Sequence, residues 1–335
     1  MKRTLIIAEA GVNHNGSIAL ALKLVDAAAE AGADIVKFQT FKAGRLVSAS
    51  APLADYQQTA TADAYRSQLE MLRRLELSEA DHLELMARCD ERGIRFLSTA
   101  FDPESVEYLH SLGLGMWKIP SGEITNYPYL KRIAGFNEPT YMSTGMCTIE
   151  DVASAVGALL ANGLSLSNLT LLHCNTEYPT PVADVNLAAM ESLRREFGVS
   201  VGYSDHTVGI EIPIAAAALG ATVVEKHFTL DRTMAGPDHR ASLVPTELKA
   251  MVQAIRNVDM AIGSGYKCVT DSERGNMAVA RKSIVAAADI AEGDIFTEQN
   301  LTVKRPGTGI SPMRWNEVIG TRASRTYHPD ELIEL

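Results

Sequence analysis

Cysteine is scarce in this 335-residue chain. Cys89, Cys147, Cys174 and Cys268 make up the whole set, and no two form a CxxC pair. Disulfide scaffolds belong to short secreted chains, so this usage points to a reducing compartment, and a cytoplasmic location is expected. Long apolar runs are lacking as well. The opening MKRTLIIAEAGVNHNG starts like a signal peptide, but its apolar run is short and Glu9 interrupts it. It reads as a first buried strand, and no later stretch reaches membrane-spanning length. Nor is there an excess of positive charge. The 31 Lys and Arg against 41 Asp and Glu leave a formal net charge of −10, with no clustered basic footprint, so nucleic acid is not an expected partner. GVNHNG at 11–16 lacks the spacing of a dinucleotide fingerprint, and neither a P-loop lysine pattern nor a serine nucleophile elbow occurs.

What the chain does have is alternation. Short β-rich runs at 4–8, 33–38, 94–97, 116–119, 140–143, 169–173, 199–203 and 222–227 are separated by stretches of helical spacing near 19–31, 79–92, 104–112, 127–134, 149–162, 187–197, 210–219 and 246–262. A polar helix is also expected at 64–75, within a long excursion after the second strand. Eight strand–helix units fit an α/β fold of the (β/α)8 TIM-barrel type, with a doubly wound sheet as the rival that periodicity does not exclude. Glu9, Lys37, Thr99, Lys118, Ser143, His173, Ser204 and His227 all fall at or just beyond strand C-termini. In a barrel those ends converge on one mouth. From Lys282 the pattern changes to the short β-like pieces SIVAA, IFT and LTVKRP, a small mostly-β module after a polar linker.

The residue types at these positions define chemistry. His206 in YSDHT and His227 in EKHFT end adjacent strand units, so the two imidazoles are candidate metal ligands with coordination positions left open; each alone would read as a hydrogen-bonded buried histidine. Lys37 and Lys118 interrupt apolar strands, which is costly unless they are paired. They suit a salt bridge with Glu9 or Glu123, an anionic metabolite held together with Thr99 and Ser121, or a Schiff base. Glu9, Glu225 and Asp238 are candidates for proton handling or sugar hydroxyls, and Tyr178 for a sugar pocket.

The motifs AEAGVNHNG, VKFQTFKA, FLSTAFD, WKIPSGEI, STGM, HCNTEYPTP, GYSDHT, EKHFTLD and GPDHRAS, in that order, resemble the N-acetylneuraminate (sialic acid) synthase family, including its legionaminate and pseudaminate branches. KRPGTGISP and its surroundings resemble that family's antifreeze-like (SAF) domain. The resemblance implies a catalytic TIM barrel over 1–265, a linker at 266–281 and an SAF domain over 282–335. It also implies a domain-swapped homodimer in which Arg305 reaches the partner's site. His206 and His227 would hold a divalent metal, normally Mn²⁺, with Mg²⁺ or Co²⁺ as alternatives. Lys37, Thr99, Lys118, Ser121, Ser204 and either Asn175 or Thr176 would contact phosphoenolpyruvate. Glu9, Tyr178, Asp238 and Arg305 would contact an N-acylated mannosamine-type sugar, with Glu225 near the reacting centre. The implied activity is N-acetylneuraminate synthase, a transferase joining phosphoenolpyruvate to N-acetylmannosamine, favoured by DVNL after HCNTEYPTP and by the late SPM. The alternative is N,N'-diacetyllegionaminate synthase acting on 2,4-diacetamido-2,4,6-trideoxymannose.

Overall fold

Each of the eight apolar runs forms a strand in the computed structural model, which describes residues 3–53, 65 and 67–335. They are β1 (Leu5–Gly11), β2 (Ile35–Thr40), β3 (Arg95–Ala100), β4 (Trp117–Ile119), β5 (Thr140–Ser143), β6 (Leu169–His173), β7 (Ser200–Asp205) and β8 (Val223–His227). All pair in parallel, in the order β3-β2-β1-β8-β7-β6-β5-β4. The two strands at the ends of that order, β3 and β4, pack alongside each other. The sheet is therefore a nearly closed TIM-type barrel, not a doubly wound sheet.

The helices form where stripe and caps agree. Ile18–Ala31 buries Ala21, Leu24, Val25, Ala28 and Ala31, a one-face pattern of period 3.6. Glu79–Arg92 starts at a Ser78–Asp81 capping box and stops at Gly93, whose φ of +66° favours glycine. These stripes cover the outside of the strands and form the largest core cluster.

Inside the barrel, Ile7, Ile35, Leu97, Leu172 and Val223 form a separate apolar layer. Because strand side chains alternate, the residues two positions further on rise above that layer on the same face. Those residues are Glu9, Lys37, Thr99, Cys174 and Glu225. Gly202 takes part in the same layer. A β-carbon there would lie 2.4 Å from the Val223 carbonyl oxygen, so β7 approaches β8 only because the side chain is missing.

The chain forms two units, Met1–Ser264 and Gly265–Leu335. The second is built on the antiparallel pair β9 (Ser283–Ala286) and β10 (Leu301–Lys304), around a core including Ile284, Ile290, Phe296, Val318, Tyr327 and Ile333. Several expectations need adjustment. IFT forms no regular strand; Ile295 makes an isolated bridge to Arg322. The segment expected as a linker contains the helix Asp271–Ala280, started by a Thr270–Glu273 capping box. The helix expected over 64–75 is observed as Gln68–Arg73, and its earlier positions 64 and 66 lie outside the described residues. Among the described residues, no helix is long and apolar enough to cross a membrane.

Candidate active site

A cavity of about 350 Å³ opens at the C-terminal ends of the barrel strands. Of the residues nominated from the sequence, Asn175, Arg305 and His173 do not line it, and the others do. The parallel register explains the convergence on one side. Glu9 on β1 stands opposite Lys37 on β2 and His227 on β8, and Ser204 on β7 stands opposite Glu225 on β8.

Two lysines and two carboxylates form the floor. The Lys37 ammonium lies 2.9 Å from Glu9 Oε2 and 3.6 Å from Glu225 Oε2, and it donates to Thr99 Oγ1 at 3.0 Å. Lys118 lies 3.6 Å from Glu225 Oε1 and donates to Ser143 Oγ at 2.7 Å. Ser204 donates to Glu225 Oε1 at 2.9 Å. Glu9 Oε2 and Glu225 Oε2 nonetheless have no aligned hydrogen-bond donor. The lysines hold these oxygens by charge, leaving hydrogen-bonding capacity in a buried cavity.

The environment splits the two carboxylates. Burial raises Glu9 above the ordinary carboxylate range; Lys37 opposes that shift, and nearby Glu225 adds to it. Burial also pushes Glu225 up, but Lys118 and Lys37, with the Ser204 hydrogen bond, outweigh it and hold Glu225 low. Burial lowers Lys118, whereas for Lys37 the attraction of Glu225 and Glu9 overcomes burial and raises it. One acid thus stays fully ionised beside another that accepts a proton readily, the division that acid–base chemistry requires.

The two histidines form one wall, with ring centroids 5.4 Å apart. Burial lowers His206 to about 4 and His227 well below its ordinary value, so both are neutral and offer lone pairs. His206 Nε2 meets the Tyr178 hydroxyl at 2.9 Å, and its Nδ1 meets the Asn175 carbonyl oxygen. His227 Nδ1 is buried without a hydrogen-bond partner, 3.9 Å from Asp238 Oδ2. Burial raises Asp238 to about 6. Among the described residues, no group of three or more His, Cys, Asp or Glu side chains is arranged to hold an ion. Two neutral imidazoles, one with an unsatisfied ring nitrogen, suit a divalent ion whose other positions are filled by water or substrate.

A third cluster lies at the β5 and β6 ends. Ser121 Oγ accepts from the Gly145 N–H at 3.0 Å and touches Cys174 Sγ at 3.2 Å. A β-carbon on Gly145 would come within 2.6 Å of Thr176 Cγ2 and 2.8 Å of Ser121 Oγ. The glycine in STGM therefore lets a backbone N–H and two hydroxyl side chains share one corner.

The structure separates the interchangeable pair at 175 and 176. Thr176 lines the cavity, whereas the Asn175 side chain accepts from Glu177 N–H at 2.8 Å and shapes its own loop. His173, expected near the mouth, does not line the cavity; its Nε2 meets the Val185 carbonyl oxygen at 2.8 Å and its ring lies near Tyr203. Arg305 belongs to the second unit, is exposed, and donates to the Ala280 carbonyl oxygen at 3.0 Å. Gln39 joins the site without having been among the residues nominated from the sequence. It lines the cavity and donates to Glu9 Oε1 at 3.4 Å, and its place two residues beyond Lys37 was the signal that could have found it.

The NeuB family matches residues 24–267, and the SAF domain matches residues 281–334. The N,N'-diacetyllegionaminic acid synthase of Campylobacter jejuni is 54% identical over 99% of this chain and 99% of its own. That of Legionella pneumophila is 49% identical over 95% of this chain and 90% of its own. The crystal structure of N-acetylneuraminic acid (sialic acid) synthetase from Leptospira borgpetersenii superposes with a TM-score of 0.71 at 31% identity, covering 82% of this chain and 90% of that one.

Proposed function

Because the chain belongs to the NeuB family, we propose that it is an N,N'-diacetyllegionaminic acid synthase, condensing phosphoenolpyruvate with 2,4-diacetamido-2,4,6-trideoxymannose. The sugar reading moves from the N-acetylmannosamine favoured by the sequence because relatives named for the diacetylated product are 54% and 49% identical, against 31% for the sialic acid synthetase. The observation that carries the chemistry is the buried floor of the cavity, where Lys37 and Lys118 share Glu225. Two buried ammonium groups there suit a substrate bearing both a phosphate and a carboxylate.

Lys37 and Lys118 hold these anionic groups, with Thr99, Ser121, Thr176 and the Gly145 N–H as neutral donors. A divalent ion held by His206 and His227 would supply Lewis-acid polarisation of the aldehyde. C3 of phosphoenolpyruvate attacks the aldehyde carbon and forms the new carbon–carbon bond. As that bond forms, Glu9, the carboxylate that protonates readily, gives its proton to the former aldehyde oxygen. Water adds to the cationic C2, and ionised Glu225 takes its proton. The C2–O bond to phosphate then breaks as the C2 hydroxyl becomes the carbonyl, its proton leaving with the phosphate, and the proton held by Glu225 restores Glu9. Inorganic phosphate and a nine-carbon 2-keto acid leave. Asp238 and Tyr178 orient the aldose. Arg305 would reach the aldose in the partner's mouth within a domain-swapped homodimer.

Phosphate release tests the reading. Chelated enzyme should release none from phosphoenolpyruvate, and Mn²⁺ should restore release only when an aldose is present. Release without aldose, or full activity after chelation, contradicts it.

A further inference from the structure

The floor of the cavity is polar, but one wall is not. Leu46 and Val47 come from the short helix and turn after β2; Met71, Leu72 and Leu75 come from the helix Gln68–Arg73 and the residues after it. Val12, just beyond β1, completes the surface. These six side chains are one packed cluster, separate from the main core, with Phe41 and Ala43 behind them. They are not an accidental apolar edge, because the cluster has its own buried members, Met71 and Leu75 among them. Lys42, Arg45, Glu70, Arg73 and Arg74 belong to the same segments, yet none lines the cavity. Gln68 is the one polar side chain that this wall contributes among the described residues.

The charged floor is taken up by the reacting groups, so the wall meets whatever part of the aldose is remote from them. A hydroxyl pressed against six aliphatic side chains gives up its water without gaining a partner, whereas a methyl gains apolar contact. We propose that this aliphatic wall is the specificity determinant for the distal end of the aldose, selecting a sugar that carries methyl and acyl groups over one that ends in hydroxyls. The inference rests on the reading of the cavity as a phosphoenolpyruvate and aldose site, and it deepens that reading. An apolar pocket separates substrates differing by one small group by about 10–200-fold in kcat/KM. A preference in that range is expected for N-acetyl-6-deoxymannosamine over N-acetylmannosamine, which differ only by the 6-hydroxyl.

The test is kcat/KM for those two sugars and for 2,4-diacetamido-2,4,6-trideoxymannose, in the full chain with Mn²⁺, comparing wild type with Leu46→Gln and Val47→Asn. Both positions are only half-buried, so the substitutions leave the buried part of the cluster in place. In the variants the preference for the 6-deoxy sugar should shrink by about 5–10-fold while the KM for phosphoenolpyruvate changes little, a split that general loss of folding would not give. An unchanged preference in both folded variants would overturn the proposal. So would a wild-type preference for N-acetylmannosamine over its 6-deoxy analogue, which leaves the synthase reading standing. Phosphate release with none of the three sugars would overturn both.

Discussion

Lys226 and Asp205 form an ion pair sealed between β7 and β8, with both side chains fully buried. Each sits next in sequence to a cavity histidine, Lys226 beside His227 and Asp205 beside His206, and alternation turns the pair away from the cavity. Asp205 also accepts from the Thr207 N–H at 3.0 Å, and Lys226 donates to the Thr207 carbonyl oxygen. The loop carrying His206 is thus tied down on both sides of the imidazole. Removing one partner leaves an uncompensated buried charge, so Lys226→Met should destabilise the protein by about 3–5 kcal/mol. Lys226→Met combined with Asp205→Leu should recover part of that loss. Denaturant unfolding of the two variants measures both effects, and a single-variant loss below about 1 kcal/mol would contradict the assignment.

Gly145 is expected to be intolerant for a local reason. The methyl of Gly145→Ala has to displace Thr176 and Ser121, whose nearest atoms lie 2.6 and 2.8 Å from its position. Both side chains belong to the proposed phosphoenolpyruvate corner. The KM for phosphoenolpyruvate should rise by about tenfold or more, with a smaller effect on the aldose, because a misplaced binding group costs transition-state contacts. Equal changes in both KM values would argue against this corner as the anion site.

The opposed shifts of Glu9 and Glu225 predict unequal losses. Glu225→Gln removes the ionised carboxylate that both lysines share and should lower kcat by about 10²–10⁴-fold, the range for a lost general base. Glu9→Gln replaces a group already inclined to be neutral and should cost less. Single-turnover phosphate release separates the two. A larger loss at Glu9 would reverse the proposed roles.

Acid should weaken the fold through histidines kept neutral by burial. His14 is fully buried, accepts from the Gly16 N–H at 3.0 Å, and is lowered from 6.5 to about 4, chiefly by burial. Between those values the unfolded chain binds a proton that the native state refuses. The contribution is therefore complete above pH 6.5 and is lost as pH falls through 4, amounting to about 3 kcal/mol at most. His14→Asn keeps an acceptor but cannot take the proton, so its urea midpoint should fall less steeply between pH 7 and 4.5. Parallel profiles would show that His14 is not among the groups responsible.

The sequence and the structure agree most closely where strand and helix signals were unbroken. TYMS at 140–143 and LTLLH at 169–173 form strands over those residues, and 79–92 forms the expected helix behind its capping box. The first strand read short because Glu9 interrupts its apolar run, yet β1 continues to Gly11 because Lys37 pairs with that carboxylate. Alternation alone did not say which face of β6 points inward. The interior place of Leu172 decides that, and it turns His173 away from the mouth. The segment expected as a linker forms a helix because the Thr270–Glu273 capping box starts one despite the polar composition. The aliphatic wall was hidden for a different reason. It joins residues 46–47 to 71–75, and no local periodicity links positions so far apart.

The central claim is a phosphoenolpyruvate-dependent synthase tuned to the diacetylated trideoxy sugar. The most direct test is a side-by-side measurement of kcat/KM for 2,4-diacetamido-2,4,6-trideoxymannose and N-acetylmannosamine with Mn²⁺-loaded enzyme and saturating phosphoenolpyruvate. A preference of about tenfold or more for the trideoxy sugar is predicted, since small apolar groups are distinguished on that scale. Equal use of the two sugars, or faster use of N-acetylmannosamine, would contradict the account.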